Sequence, residues 1–440
     1  MIKNFIYMLK QVIYDLYDNS ILLGLPLIIG WSILHRLKFR LGIKVQDLKG
    51  QLKYNIDKID SDKIYWTNPQ RIQYYQINKD KKWRFTSKIT KEIWNRSKQP
   101  IKDLTIYKAL IERFNYGKKW QDTKFYQEVI NDMNNGEERW NCRSKEDLDR
   151  SLNSIEALYN EIKISNYKPE NELLFSKELF VKFEVPQFFG NIIVNIGKDG
   201  ELLLLEGKLM LTLAKFLDIT EIPFIIKTRH KKWIRFKKEL SYLSRRGPLY
   251  QQCTHPDLQE FPFFYGHERF NMIKENLSIS KGNVLDIGAN LGYFCRKFEE
   301  LGFNCYAVEA NMYYFYFLKK LKKAENKKFK IIPVSIFNYR KKQQIKFDVI
   351  LALFIFHHFL KRRNTFFNLI KLLNRIKVKE LFFGAHNPKS FQYKKVYKNF
   401  TPDQFVNFIL ENSCLNKAKL IGKTKTDRYL YKLTSENSSF

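Results

Sequence analysis

The last part of the chain, from residue 249 to 434, alternates short apolar runs with segments of helical periodicity. This alternation predicts an α/β fold in which a doubly wound, mainly parallel sheet carries helices on both faces. The predicted strands are at residues 283–287, 305–308, 346–353 and 380–384, with another near 331, and they are followed by a closing pair at 418–421 and 429–433. Predicted helices in this part include 364–373 and 402–410.

Residues 167–248 follow a different pattern of strand, turn, strand, helix and strand. Two apolar runs, 191–196 and 202–205, flank the dipeptide Asp199-Gly200, which is typical of a hairpin turn. A helix is predicted through residues 209–217, and a buried strand at 222–226. The pattern predicts a small α+β domain.

The N-terminal part divides into two predicted regions. Residues 46–166 hold five tryptophans and two helical segments, 105–114 and 145–164, so we predict a self-contained, mainly helical region. Residues 1–45 contain an amphipathic segment and an apolar run at 21–34 that is shorter than the roughly 20 residues of a membrane-spanning helix. We expect buried or docking helices here. The alternative is that residues 1–40 lie on a membrane surface, with their basic flank against anionic headgroups.

Charge and cysteine content change this picture little. The chain has 78 Lys and Arg against 45 Asp and Glu, a net charge of +33, which favours polyanionic partners without choosing among them. The segment 227–246 is the densest basic stretch before the last domain, so it is either a solvated face or a surface for an anionic ligand or nucleic acid. Five scattered cysteines without a C-x-x-C pair predict a cytoplasmic protein without a thiolate zinc site, and we predict no metal. Residues 435–440 are expected to form a disordered tail.

One segment carries the strongest chemical signal. The run 283–294 reads as a strand, a glycine-containing turn and a helix start, with Asp286, Gly288, Asn290 and Gly292 in the turn region. The next predicted strand ends at Glu309, which lies 21 positions after Gly288. A carboxylate at this place can accept hydrogen bonds from both hydroxyls of a ribose.

These residues resemble motif I and the following acid of class I S-adenosylmethionine-dependent methyltransferases, in a D-x-G-x-N-x-G variant. The resemblance implies a Rossmann-like sheet ending in a hairpin. It also implies that S-adenosyl-L-methionine is bound by Asp286, Gly288, Asn290, Gly292 and Glu309, with Leu353 at the end of the fourth strand. The usual acid near the adenine amino group is absent, so Ser335 or Asn338 would serve instead. Two alternatives stay open: a nicotinamide-binding domain, for which Asn290 stands where a glycine is expected, and a domain that no longer binds cofactor.

The segment 167–248 resembles the ParB/sulfiredoxin-like fold in its Asp-Gly hairpin, Gly-containing turn and Ile-Pro strand. In that family a helix N-terminus followed by Arg can hold a nucleotide or phosphate. Here the helix start reads Gly207-Lys208, and the Arg is absent. The segment is therefore expected to be a structural or docking domain, with ligand binding as the alternative.

The methyl acceptor is the least determined part of the prediction. An amine or alcohol acceptor must lose a proton, and the candidate bases are His386, His357 and His358, which would otherwise shape the pocket wall. The chain has neither the N/D-P-P-Y/F tetrapeptide of amino-group DNA methyltransferases nor a Pro-Cys dipeptide, which disfavours nucleobase methylation. The predicted function is methylation of a small molecule, a glycan or a lipid-linked acceptor. The alternative is a nucleic-acid-associated protein with a ParB-like unit and a methyltransferase-fold domain.

Overall fold

The computed structural model describes residues 63–77, 98–137, 142–164, 192–244, 247–388, 395–425 and 427–435. The predicted N-terminal helices, the membrane-surface segment 1–40 and all but the first residue of the predicted tail lie outside these residues. Within the described ranges, no helix is both long enough and apolar enough to cross a membrane.

The first sheet has six strands and mixed direction. Strands β1 to β6 span Ile64–Thr67, Tyr74–Gln76, Lys98–Pro100, Ile193–Ile196, Leu202–Glu206 and Ile222–Arg229, in the order β1-β6-β4-β5-β2-β3. The predicted hairpin is confirmed, because β4 and β5 pair antiparallel across the Asp199-Gly200 turn, where Gly200 has φ of 95°. Helix α4, Lys208–Phe216, follows Gly207 as predicted. The predicted strand at 222–226 extends to Arg229.

The N-terminal region is not a separate helical unit, and this corrects the predicted boundary near residue 166. Its helices are present as α1, α2 and α3, which span Thr105–Tyr116, Lys124–Asn134 and Lys145–Ile164. However, β1 pairs with β6 and β2 pairs with β5, so both regions build one sheet. Buried side chains of the helices and the sheet form one core. Strands of three or four residues carry too little periodicity to be recognised. The partners of β1 and β2 in the second region, β6 and β5, also lie more than a hundred residues away.

The basic segment 227–246 is partly interior. It ends β6 and forms helix α5, Lys231–Ser244. The side chains of Arg229 and Lys237 are buried, and both contact Asp257, at 2.7 and 3.2 Å. Trp233 Nε1 donates to the same carboxylate at 2.7 Å. Two of the cations predicted for a solvated or anion-binding face are therefore neutralised inside the protein, while Lys231, Lys232 and Arg235 remain exposed.

The second sheet has seven strands. Strands β9 to β15 span Asn283–Ile287, Asn304–Val308, Lys330–Ile332, Ile345–Leu353, Ile376–Gly384, Lys417–Lys423 and Tyr429–Thr434, in the order β11-β10-β9-β12-β13-β15-β14. The first five are parallel, and β15 pairs antiparallel with both β13 and β14. Helices α6 to α10 span His267–Glu275, Tyr293–Glu300, Met312–Ala324, Arg363–Arg375 and Pro402–Glu411. A doubly wound sheet closed by a hairpin, as predicted, is confirmed.

The two sheets are joined by a short parallel pair and by a polar interface. Strands β7, Leu249–Gln251, and β8, Phe263–Tyr265, form the pair. We call β1 to β6 with α1 to α5 the first unit. Glu325, at the end of α8, lies 3.4 Å from Arg296 and 3.2 Å from Arg71, which belongs to this unit. The hairpin turn also packs on α8, where a Cβ on Gly200 would lie 2.6 Å from Ala324. The first unit is therefore held against the helix that follows β10.

Candidate cofactor and acceptor site

The glycine-containing turn lies at the carboxyl edge of the second sheet, between β9 and α7. The backbone N–H groups of Gly288 and Ala289 both donate to the carbonyl of Val308, at 2.9 and 3.0 Å. These bonds fix the turn against the end of β10, the strand that leads to Glu309. The carboxyl edge at the switch in strand order is where open α/β sheets bind their ligands.

Three positions in this turn have left-handed backbone conformation: Gly288 and Gly292 with φ of 77°, and Asn290 with φ of 54°. A Cβ on Gly288 would lie 3.0 Å from Ile355 Cδ1, and one on Gly292 would lie 2.2 Å from Leu318 Cδ1. Gly292 therefore allows α7 to start directly against α8. Asn occupies the left-handed region more easily than most residues, which explains how it can stand at position 290.

Glu309 ties the turn to the next connection. Its Oε2 accepts from the N–H of Asn290 at 2.8 Å, and its Oε1 accepts from the N–H of Asn311 at 2.7 Å. The side chain is nearly buried, and burial raises the pKa of this carboxyl while the two hydrogen bonds lower it. Each carboxylate oxygen keeps a further lone pair, so the group can still accept from a sugar hydroxyl.

Asp286 and Arg269 form the buried charged part of the site. Burial, and then the charge of Glu309, raise the pKa of Asp286 to about 7, whereas the charge of Arg269 lowers it. Arg269 lies on α6 and is 2% exposed, with Cζ 3.9 Å from the ring centroid of Tyr265 and 5.2 Å from that of Phe354. Arg269 Nε has no hydrogen-bond partner among the described residues. Arg269 was not predicted from the sequence, because nothing in the local pattern of α6 separates it from a surface arginine.

The residues predicted for the adenine side lie at the same edge. Ser335 is half-buried and starts a turn, in which its carbonyl accepts from the N–H of Asn338 at 2.9 Å. Asn338 is exposed, and Leu353 is the half-buried last residue of β12. β11 ends three residues before Ser335, so this turn lies beside the end of β10. The turn is placed to border a ligand held by Glu309.

The three predicted histidines come together at the ends of β12 and β13. The ring centroid of His357 lies 4.2 Å from that of His358 and 5.3 Å from that of His386. His386 Nε2 contacts Asn399 Oδ1 at 3.1 Å. His357 and His386 are buried, while His358 is an exposed residue whose ring is partly covered.

The electrostatic environment of this cluster differs from the expectation of bases with near-neutral pKa. Burial, followed by the positive field of the neighbouring histidines and Arg428, lowers the pKa of His357 to about 2. Burial also lowers the pKa of His386. Burial, together with the charges of Lys361 and Arg428, lowers the pKa of His358. All three rings are therefore neutral near pH 7. Within the described residues, no group of three or more His, Cys, Asp or Glu is arranged to hold a metal ion.

The residues of the turn fit a bound S-adenosylmethionine. Asn290 Oδ1 is buried without a hydrogen-bond partner among the residues described, and the missing Cβ of Gly288 leaves the backbone accessible. Glu309 can accept from a ribose, while Asp286 and Arg269 offer opposite charges to an amino-acid ammonium and carboxylate. Buried polar atoms without partners are rare in proteins, so their presence here points to a ligand.

Comparison with known proteins agrees with this geometry. A family model for a methyltransferase domain matches residues 264–381. Similar solved structures include the bifunctional kinase-methyltransferase WbdD, with 18% identity over 44% of this chain and 45% of that chain and a TM-score of 0.38. They also include a SAM-dependent methyltransferase from Archaeoglobus fulgidus, with 18% identity over 39% of this chain and 95% of that chain and a TM-score of 0.30.

Another similar structure is magnesium protoporphyrin IX methyltransferase from Synechocystis PCC 6803 with bound SAM. It is 9% identical over 38% of this chain and 76% of that chain, with a TM-score of 0.30. The match spans less than half the length of WbdD. No curated protein matches this chain. The predicted ParB-like fold of the first unit has no counterpart among these matches. Residues 264–381 therefore match a methyltransferase domain, for which S-adenosylmethionine is the expected cofactor.

Proposed function

We propose that this protein transfers a methyl group from S-adenosylmethionine to a small molecule, a glycan or a lipid-linked acceptor. The observation that carries the proposal is Glu309, whose two oxygens are fixed at 2.8 and 2.7 Å by the backbone of the glycine turn and of the following loop. This carboxylate is held at the place where a ribose would lie, beside the turn that would take the amino-acid part of the cofactor.

When bound, S-adenosylmethionine supplies a methyl group on a positively charged sulfur. The chain's own task is to hold the sulfonium and the acceptor in line. Glu309 holds the ribose, Asp286 and Arg269 orient the amino-acid part, and Ser335, Asn338 and Leu353 border the adenine. The acceptor lies at the ends of β12 and β13, beside His357, His358 and His386.

The surface beside this edge supports an acceptor with an apolar face. Phe263 and Phe264 of β8 are 38% and 59% exposed, and they precede Tyr265, whose ring contacts Arg269. An exposed aromatic pair next to a site can stack on the C–H face of a sugar or pack on a lipid chain. The exposed aromatic pair therefore favours a glycan or a lipid-linked acceptor over a fully polar one.

The second candidate function is nucleic-acid binding through the basic first unit. The exposed Lys231, Lys232 and Arg235 on α5 favour it, but Arg229 and Lys237 are already paired with Asp257. A small exposed basic patch is frequent on a chain with a net charge of +33, so it does not separate a nucleic-acid-binding surface from an ordinary solvated one.

Calorimetric titration with S-adenosylhomocysteine tests the proposal. The wild type is expected to bind, and Glu309→Ala to lose at least about tenfold in affinity, because charge-assisted hydrogen bonds contribute roughly 1.5–3 kcal/mol. Glu299→Ala is the matched control, since Glu299 also accepts from two backbone N–H groups, of Lys328 and Phe329, but at the amino end of β11. Equal losses in both variants, or no binding by the wild type, would contradict the proposal.

A salt series with duplex DNA and single-stranded RNA, run on the same samples, tests the second candidate. Steep salt dependence together with no affinity for the cofactor product would support nucleic-acid binding instead.

A further inference from the structure

The described chain segments at the acceptor edge contain no acidic residue. Residues 354–363 follow β12, residues 385–388 and 395–402 follow β13, and all are free of Asp and Glu. Between Asp348 and Asp403 the only carboxylate is Glu380, which lies 2.8 Å from Lys432 and accepts from the N–H of Ser278. That carboxylate is therefore already engaged. The acceptor edge thus lacks a negative group of its own from either segment.

The positive groups around the histidine cluster are near enough to act on it. The charge of Arg428 lowers the pKa of all three histidines, and Lys361 adds to the effect at His357 and His358. The charged side chains that act most strongly on the three histidines are thus positive. A neutral histidine cluster in a positive field is a poor environment for a cationic acceptor and a favourable one for an anion.

Arg428 is the cation best placed to hold that anion. It lies at the turn between β14 and β15, half-buried, with Cζ 5.2 Å from the ring centroid of Phe354 and 5.8 Å from that of Tyr265. Its neighbour Asp427 pairs with Lys423, and Arg428 makes no ion pair among the described residues. A guanidinium that lies near two aromatic rings and makes no ion pair among the described residues suits bidentate binding of a carboxylate or phosphate.

We infer that the methyl acceptor is an oxyanion, a carboxylate or a phosphate, which Arg428 holds beside the histidine cluster. The inference rests on the proposed methyl transfer and names its substrate class. An oxygen of the anion forms a bond to the methyl carbon while the S–CH₃ bond breaks and its electron pair returns to sulfur. The products are a methyl ester and S-adenosylhomocysteine, and no proton is released.

This reaction fits the histidines better than transfer to an amine or alcohol does. A general base works best with a pKa near the operating pH, and His357, with a pKa of about 2, is far below it. An oxyanion needs no base. The neutral rings can instead donate N–H hydrogen bonds to the acceptor and exclude water from it.

The test uses the full chain saturated with S-adenosylhomocysteine and three probes that share a sugar ring: glucose 1-phosphate, glucuronate and glucose. Binding is followed by calorimetry. At least one anionic probe is expected to bind tenfold or more tightly than glucose. Arg428→Gln is expected to remove that preference and to leave the affinity for S-adenosylhomocysteine unchanged, while Arg362→Gln, an exposed cation of the segment after β12, is expected to keep it.

The two anionic probes distinguish the sources of the negative charge. Preference for the phosphate predicts a phosphate methyl ester, and preference for the carboxylate predicts a carboxyl methyl ester. Transfer of a labelled methyl group to the preferred probe checks this. A carboxyl methyl ester releases methanol in mild alkali, whereas a phosphate methyl ester does not. Binding of glucose as tight as that of the anionic probes, or an unchanged preference in Arg428→Gln, would overturn the inference. Binding of neither anion would do the same.

Failure of the proposed methyl transfer and failure of the oxyanion acceptor give different results in this experiment. Failure of the wild type to bind S-adenosylhomocysteine contradicts the proposed methyl transfer itself, whereas failure of the anions with that product bound contradicts only the oxyanion acceptor. If RNA or DNA competes for Arg428 with a steep salt dependence and the sugar anions do not bind, the acceptor edge belongs to nucleic acid, and the inference is wrong.

Discussion

Gly288 lies directly against the side chain of Ile355, so closely that an added Cβ would be 3.0 Å from Ile355 Cδ1. The contact joins the turn after β9 to the segment after β12, which are the cofactor and acceptor sides of the site. Any side chain at position 288 would therefore push the two sides apart and also adopt an unfavourable φ of 77°.

Gly288→Ala is expected to weaken binding of S-adenosylhomocysteine at least about tenfold, because it combines roughly 1 kcal/mol of backbone strain with a displaced Ile355. Gly302→Ala is the control, since Gly302 has a φ of 88° but nothing within 4 Å of its Cβ position. Both variants should lose thermal stability, and only the first should lose cofactor affinity. If calorimetry shows the same affinity for both, the contact with Ile355 has no functional role.

Cofactor binding should depend on pH through Asp286, whose pKa is raised to about 7 by burial and by Glu309. The cofactor carries an ammonium group, which favours the ionised carboxylate, so the affinity should increase as the pH rises through about 7. Asp286→Asn should bind more weakly, with a flat profile. Titrations of S-adenosylhomocysteine between about pH 6 and pH 8 measure this, and a wild-type affinity that falls with pH would show that another group controls binding.

Asp257 is a buried carboxylate whose removal should be costly. It pairs with Arg229 and Lys237 inside the protein, and these charges lower its pKa to about 2 against the effect of burial. Asp257→Asn leaves the buried Arg229 without this counter-charge and Lys237 with only Glu260, at 2.9 Å, so we expect a loss of about 3–5 kcal/mol in the free energy of unfolding. The matched control is Asp199→Asn, whose partners Lys320 and Lys323 are 37% and 64% exposed.

The control should cost about 1 kcal/mol or less. Chemical denaturation followed by circular dichroism measures both variants. The stability that the wild type gains from Asp257 is present above the ordinary pKa of 3.8 and is lost as the pH falls towards 2. A cost for Asp257→Asn no greater than for Asp199→Asn would contradict this account.

Lys215 is a buried lysine whose presence should lower stability near neutral pH. It is 9% exposed, its Nζ contacts Gln70 Oε1 at 3.4 Å, and burial lowers its pKa from 10.5 to about 8. Between these two values the unfolded chain binds the proton and the folded chain does not, so stability rises with pH. The shift corresponds to at most about 3 kcal/mol.

Lys215→Met is therefore expected to be more stable than the wild type at pH 7, and this advantage should shrink as the pH is raised towards 10. Lys231→Met, at an exposed position on α5, should show no such trend. Melting temperatures measured across this range test the prediction, which fails if the difference between Lys215→Met and the wild type is independent of pH.

Local patterns were sufficient for the second sheet. The alternation of apolar strands and amphipathic helices predicted its strands, the hairpin that closes it and the turn that holds Gly288. The central strands β9, β12 and β13 are largely buried, and helices such as α9 are long enough to show their period. The spacing from Gly288 to Glu309 likewise follows from one helix and one strand of ordinary length. These features depend on residues close together in the chain, so the sequence by itself determined them.

Contacts between distant segments were decided by the tertiary structure alone. β1, β2 and β3 are too short to show a period. β1 and β2 became strands by pairing with β6 and β5 across long stretches of chain, and β3 by pairing with β2. The basic segment 227–246 was predicted to be a solvated face or an anion-binding surface, whereas folding pairs its Arg229 and Lys237 with Asp257. Arg269, Arg428 and the low pKa of His357 were not predicted, because burial and charge at a site are sums over segments that only folding brings together.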